Sequence, residues 1–152
     1  MQDIIIGSDH RGYELKNQIK AYLTEKKFFF VDVGVQTTQT PTGQEEVPPI
    51  LSVVKEVTDV VNSAKHFCGI LICSNGVGMS IAANRFKGIR AALCYSVDVA
   101  RNAREHNDAN VLCISPLVDF ETTKKIITTF LNTKLLPELR YKKRIEMFDT
   151  IC

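Results

Sequence analysis

No stretch of this chain is long and apolar enough to cross a bilayer, which takes about 20 consecutive apolar residues, and neither sign of charge dominates. The formal net charge is +2, with 19 Lys and Arg set against 17 Asp and Glu and scattered along the chain. Such a balance gives no basic stripe to follow a phosphate backbone, so neither a membrane nor a nucleic acid is an expected partner. Five cysteines make an odd number for a disulfide framework, and a chain of 152 residues, 45% of them hydrophobic, can bury a core without one. Reduced thiols in the cytoplasm are expected. Asp3-Ile4-Ile5-Ile6-Gly7 starts almost at once, as a strand and without the basic and apolar regions of a secretory leader. Internal repeats, low-complexity tracts and linkers are also missing, so residues 1–152 are expected to form a single domain.

Two nucleotide-binding motifs are incomplete. Gly7-Ser8-Asp9-His10-Arg11-Gly12 is not a P-loop, because Tyr13-Glu14 stands where Lys and Ser or Thr are required. Gly76-Val77-Gly78 lacks the third glycine of the dinucleotide fingerprint, Ile81 taking its place. Cys68 and Cys73 lie five apart on a predicted strand and point to opposite faces, so they do not ligate one ion. Cys94 and Cys113 close apolar runs as core thiols, and Cys152 ends a frayed tail.

Strand-length apolar runs are present at Ile4–Ile6, Phe28–Val33, Gly69–Cys73, Ile89–Cys94 and Asn110–Ile114. They are almost unbroken rather than alternating, as in strands covered on both faces. Helical stripes lie between them: Leu15, Ile19, Tyr22 and Leu23; Ile50, Val54, Val57 and Val61; Phe120, Ile127, Phe130 and Leu131. Met79–Asn84 forms a small-residue helix, Pro48-Pro49 opens the second long helix, and the segment from Gly34 to Val47 is the long loop. The alternation predicts an α/β fold: a Rossmann-like three-layer α/β/α sandwich around a five-stranded parallel sheet. A C-terminal helix from about Glu138 to Asp149 carries Arg140 and Arg144 on one face and is free to reach another subunit.

In open parallel sheets ligands bind beyond the carboxyl ends of the strands. Ser8-Asp9-His10 follows the first strand there, and Cys73 with the loop Ser74-Asn75-Gly76-Val77-Gly78 follows the third. Loop amides and a helix start beside a thiol can hold an anion and activate the sulfur. His106-Asn107 precedes the fifth strand and joins that edge if its helix and loop fold back. The expected cleft holds a carboxylate, two imidazoles, a thiol and an anion hole. Each piece also has a plainer reading. Asp9 can cap a helix, Cys73 can be a structural thiol, His106-Asn107-Asp108 a polar turn, and Arg140 and Arg144 a solvated pair rather than a phosphate grip.

Gly7-Ser8-Asp9-His10-x-Gly12, Gly69-Ile70-Leu71-Ile72-Cys73-x-x-Gly76-Val77-Gly78-x-Ser80-Ile81-Ala82-Ala83-Asn84, Gly88-Ile89-Arg90-Ala91, Arg104-x-His106-Asn107-Asp108-x-Asn110 and the Arg140/Arg144 pair occur in order. Together they resemble the type B ribose-5-phosphate isomerases over roughly residues 3 to 149, and extend to the related galactose-6-phosphate isomerases. The latter typically lack the cysteine kept at position 73, which favours the pentose enzyme. The resemblance implies interconversion of ribose 5-phosphate and ribulose 5-phosphate through an enediolate, without metal or other cofactor. It implies Cys73 as the base between C2 and C1, and the Ser74, Asn75, Gly76, Val77 and Gly78 amides as the enediolate's donors. His106, with Asp9 nearby, would serve ring opening and proton traffic, Asn107 would orient hydroxyls, and His10, Arg140 and Arg144 would hold phosphate. It also implies sites at a homodimer interface drawing on both subunits, with pairing of dimers into tetramers left open. The alternatives are an isomerase of allose or galactose 6-phosphate, or a degenerate non-catalytic phosphosugar-binding protein.

Three positions depart from the family's pattern. Ser74-Asn75 replaces Gly-Thr after the cysteine, Val47-Pro48 replaces Tyr-Pro, and Leu117 aligns with a phosphate-binding Arg. All three bear on the substrate shell, while the expected base and histidine are retained.

Overall fold

The structure, a computed structural model, describes residues 2–38 and 50–151. The readings at Val47-Pro48, Pro48-Pro49 and Cys152, and the long loop from Gly34 to Val47 beyond residue 38, lie outside the described residues. The five strands are β1 (Asp3–Ser8), β2 (Phe30–Asp32), β3 (Phe67–Ile72), β4 (Ala91–Leu93) and β5 (Val111–Ile114). The helices are α1 (Tyr13–Glu25), α2 (Ile50–Ser63), α3 (Val77–Ala83), α4 (Val97–Asn107), α5 (Phe120–Asn132) and α6 (Leu139–Ile151). All strands pair in parallel in the order β2-β1-β3-β5-β4.

The pleat sorts the core into two layers. Ile4, Ile6, Cys68, Ile70, Ile72, Leu112 and Ile114 face α1, α4 and α5, where Leu15, Ile19, Ala100, Ile127 and Phe130 meet them. Ile5, Leu71, Cys73, Val111 and Cys113 face α2 and α3, against Val54, Val57, Met79 and Ala83. Cys68 and Cys73 therefore do lie on opposite faces, as their odd spacing requires. Each fully buried aliphatic side chain here contributes about 1.5–3 kcal/mol relative to exposure.

Element ends differ from the sequence expectation where local hydrogen bonds decide. Phe28 closes α1, its amide donating to Leu23 O at 2.9 Å after Lys27 turns left-handed at φ 59, so β2 begins later than Phe28. The amide of Ile89 turns back to Phe86 O at 3.1 Å, which shortens β4. Edge strand β2 is stitched to α1 by a charge with no exposure at all: Lys16 Nζ donates to Asp32 Oδ1 at 2.8 Å and to Val35 O at 2.7 Å. Lys20 takes the other oxygen of Asp32 at 2.7 Å.

β1 leads to α1 on one face, whereas neighbouring β3 leads to α3 on the other. Their outgoing loops part above the carboxyl ends of these two strands. That is where a doubly wound sheet opens a crevice.

Candidate active site

After β1 the chain makes a short 3-10 turn, His10–Gly12, fixed by Asp9. Asp9 is 5% exposed, and its Oδ1 accepts from the amides of Arg11 at 3.0 Å and Gly12 at 2.9 Å. Its own amide donates to Ile72 O at 3.2 Å, which seats the turn on the end of β3. Gly12 packs so closely there that a Cβ would come within 2.6 Å of Ile72 O. The capping reading of Asp9 is thus realised for one oxygen; among the described residues the other has no hydrogen-bond partner and stays available.

Cys73 is the next residue along β3, 4% exposed, its side chain in the α2–α3 layer. The chain then turns through Gly76 at φ 75, where a Cβ would also run into Leu93 Cδ1, so only glycine fits. Ser80 N bonds Gly76 O at 3.1 Å and starts α3 at Val77, two residues before the expected Met79. With seven residues α3 carries little macrodipole, and the amides themselves supply the positive potential. One of those expected in the anion hole is occupied: Val77 N donates to Asn75 Oδ1 at 3.1 Å. Gly78 differs from Gly76, since a Cβ there would meet only Ile50 Cδ1, at 3.8 Å. The fold has room for a side chain at Gly78, and its absence leaves the loop mouth open to a ligand. Ser115, not foreseen from sequence, ties this loop to the end of β5, its Oγ donating to Ser74 O at 2.9 Å and accepting from Leu117 N at 3.0 Å.

Burial pushes the Cys68 and Cys94 thiols up to about 12. Cys113 goes higher still, through burial and then the neighbouring Cys94 and Cys73. These three remain neutral thiols. Among the described residues no three His, Cys, Asp or Glu side chains converge as a metal site would require.

His106 and Asn107 do not join this cleft within the chain. α4 starts behind Ser96 at the carboxyl edge and runs back antiparallel to the strands, rising about 1.5 Å per residue. Its last residues, His106 and Asn107, therefore sit at the amino edge, some 15 Å away. The expected fold-back does not occur, because Asp108, left-handed at φ 44, ends α4 and leads straight into β5. For the same reason His106 does not lie near Asp9 of its own chain.

A second polar cluster forms around His106 instead. Its ring stacks on Tyr141 of α6 with centroids 4.7 Å apart and planes 13° from parallel. The Arg140 and Arg144 guanidinium groups lie 4.6 and 5.5 Å from the Tyr141 ring centre. Arg144 Nη1 also reaches His106 O at 3.4 Å and Asn107 Oδ1 at 3.3 Å. Tyr141 is 6% exposed and organises the whole cluster; a lone aromatic between two arginines gave no sign of this in the sequence. Arg90 holds the floor, donating to Asn107 O at 3.1 Å, Asp108 O at 3.0 Å and Asp108 Oδ2 at 3.0 Å.

The chain thus carries two polar clusters on opposite edges of its sheet. Asp9, His10 and Cys73 to Gly78 form one, and His106, Asn107, Arg140 and Arg144 the other. A base acts over about 3 Å, so the two clusters do not act on one substrate within a single chain. Val77, Ile81 and Tyr95 at this carboxyl edge are exposed apolar side chains.

The model of the Ribose/Galactose Isomerase family matches residues 4–148. A Rickettsia typhi protein named only provisionally as a sugar phosphate isomerase is 44% identical over 133 residues, covering 87% of this chain and 88% of its own. Ribose-5-phosphate isomerase B of Escherichia coli K12 is 36% identical over 152 residues, with 99% and 97% coverage. The crystal structure of a ribose 5-phosphate isomerase from Thermotoga maritima superposes with a TM-score of 0.89 at 39% identity, covering 98% of both chains.

Proposed function

The chain belongs to the ribose/galactose isomerase family, and from that membership we propose that it interconverts ribose 5-phosphate and ribulose 5-phosphate without a metal. The observation that carries this reading is Cys73 at the end of β3, below a loop whose Gly76 is forced into the left-handed region and whose Gly78 leaves space for a ligand. Cys73 removes the proton from C2 of the opened aldose and returns it to C1. Loop amides with no hydrogen-bond partner among the described residues face the negative oxygens of the enediolate, and each such donor is typically worth about 10²–10³ in rate. Asp9, through its unoccupied oxygen, moves a proton between O1 and O2.

His106 and Asn107 come from the partner in a homodimer, along with Arg140 and Arg144. His106 serves ring opening, Asn107 orients hydroxyls, and the two arginines close on the phosphate that His10 meets from below. The position of this cluster at the opposite sheet edge supports a composite site. A coupled assay on ribose 5-phosphate, run beside four- and six-carbon aldose phosphates, tests the substrate. Turnover of ribose 5-phosphate with the highest kcat/KM is expected. Preference for another chain length would reassign the substrate and leave the reaction type standing, and no turnover of any would end the reading.

A further inference from the structure

Beside the Cys73 loop lies an open cleft of about 460 Å³, lined by His10, Arg11, Glu14, Thr38, Ser74, Pro116 and Leu117. Its walls are chemically unequal. On the β5 side Pro116 has no N–H, the Leu117 amide is taken by Ser115 Oγ, and the Leu117 side chain is apolar and 82% exposed. That wall offers an anion nothing. On the β1 side stand His10, whose enclosed Nδ1 has no hydrogen-bond partner among the described residues, and Arg11.

Arg11 is held at its root and free at its tip. Its amide is fixed on Asp9 Oδ1 at 3.0 Å, in the turn seated on β3. Its guanidinium makes no hydrogen bond or ion pair among the described residues, although Glu14 is three residues on and both Glu14 and Asp119 share a groove with it. Lys16, further along α1, is spent on Asp32 and Val35 O. We propose that Arg11 is the cleft's own anion grip and sets its preference for phosphorylated over unphosphorylated sugars. The inference rests on the sugar-phosphate reading and adds to it a residue which that reading does not use. A phosphate monoester carries close to two negative charges at neutral pH, and a guanidinium fork meets two of its oxygens at once.

The test is inorganic phosphate binding to the full chain by calorimetry, with kinetics on ribose 5-phosphate alongside. Arg11→Met, at an exposed position, is expected to weaken phosphate binding and raise KM by roughly 10- to 100-fold, the range for a lost charge-assisted hydrogen bond, with kcat within about 3-fold of wild type. Leu117→Arg alone should change little, since the grip is already filled; in the Arg11→Met background it should restore most of the affinity from the opposite wall. Equal phosphate affinity in wild type and Arg11→Met, or no phosphate binding by wild type, overturns the proposal. Loss of phosphate binding in Arg11→Met by a protein that turns over no sugar phosphate would uphold Arg11 and defeat the isomerase reading. Turnover with unchanged phosphate affinity in Arg11→Met would do the reverse.

Discussion

Inactive Cys73→Ala protein, mixed with inactive Arg140→Ala/Arg144→Ala protein, should recover activity. On the proposed composite reading, each site of a two-fold symmetric dimer takes its cleft from one chain and its cationic cluster from the other. A mixed dimer then has one site with both defects and one with neither. Random exchange of equal amounts puts about half the chains in mixed dimers, and half of the sites in those are intact, so about one quarter of wild-type activity returns when defects within a site do not compound. The separation of the two clusters makes the result sharp. His106 ends α4 at the opposite sheet edge from Cys73, some 15 Å by the rise of the helix, which no side-chain motion spans. The pattern of pairs is as informative as the amount. Cys73→Ala with His106→Ala should also complement, but His106→Ala with Arg140→Ala/Arg144→Ala should not, because both lesions fall on the cluster around Tyr141. Steady-state rates after exchange, with mixed dimers verified by native mass spectrometry, read all three pairs. Verified exchange without recovery, or recovery between the two cluster variants, would refute the composite site.

Cys73→Ala should lower kcat by about 10²–10⁴, as expected for loss of a general base, with an unchanged melting curve; near-normal turnover would make Cys73 a structural thiol. Iodoacetamide should reach Cys73 before Cys68, Cys94 or Cys113, whose burial keeps them as neutral thiols, and bound sugar phosphate should slow it, as peptide mapping will show. Lys16→Met removes one partner of a buried pair, a loss of about 3 kcal/mol because Asp32 keeps Lys20 and the Gly34 amide; calorimetry should show Tm lower by roughly 6–12 °C. Burial works to raise the Asp32 carboxyl, but hydrogen bonds from Lys16, Lys20 and the Gly34 amide hold it below its ordinary 3.8. The stability this contributes is present above 3.8 and is lost as pH falls through the lower folded-state value. Asp32→Asn should therefore show a flatter dependence of Tm on pH in that acid range, and an unchanged slope would refute the assignment.

The strands and their faces were legible because a buried parallel strand has little choice of residue. The parity of Cys68 and Cys73 alone assigns them to different layers, and the structure agrees. Asn75-Gly76-Val77 also carried an unread signal, since Asn commonly bonds the amide two residues on, and that bond takes a donor from the expected anion hole. The burial of Lys16 was not legible. Lys16 adjoins the apolar stripe of α1, and its partner Asp32 arrives from a different strand, so no local pattern announces the pair. The misplacement of His106 has a different cause. Its residues match a site motif, but a residue just before a strand lies at the amino edge of a parallel sheet, and the chain direction of α4 overrides the motif.

Each of the two clusters is ordered within its own chain. The long side chains of Arg140 and Arg144 would each lose rotamer entropy on closing over a ligand, of order 1.5–2 kcal/mol. Part of that loss is already taken within the chain, where both guanidinium groups lie over Tyr141 and Arg144 bonds His106 O and Asn107 Oδ1. The Asp9 turn is likewise fixed to β3 by backbone hydrogen bonds, independent of any partner. On the proposed reading, dimer formation therefore docks two finished surfaces instead of folding a site at the interface. The cost of assembling the active geometry falls on the folding of each subunit, and that leaves substrate binding to act on the reaction.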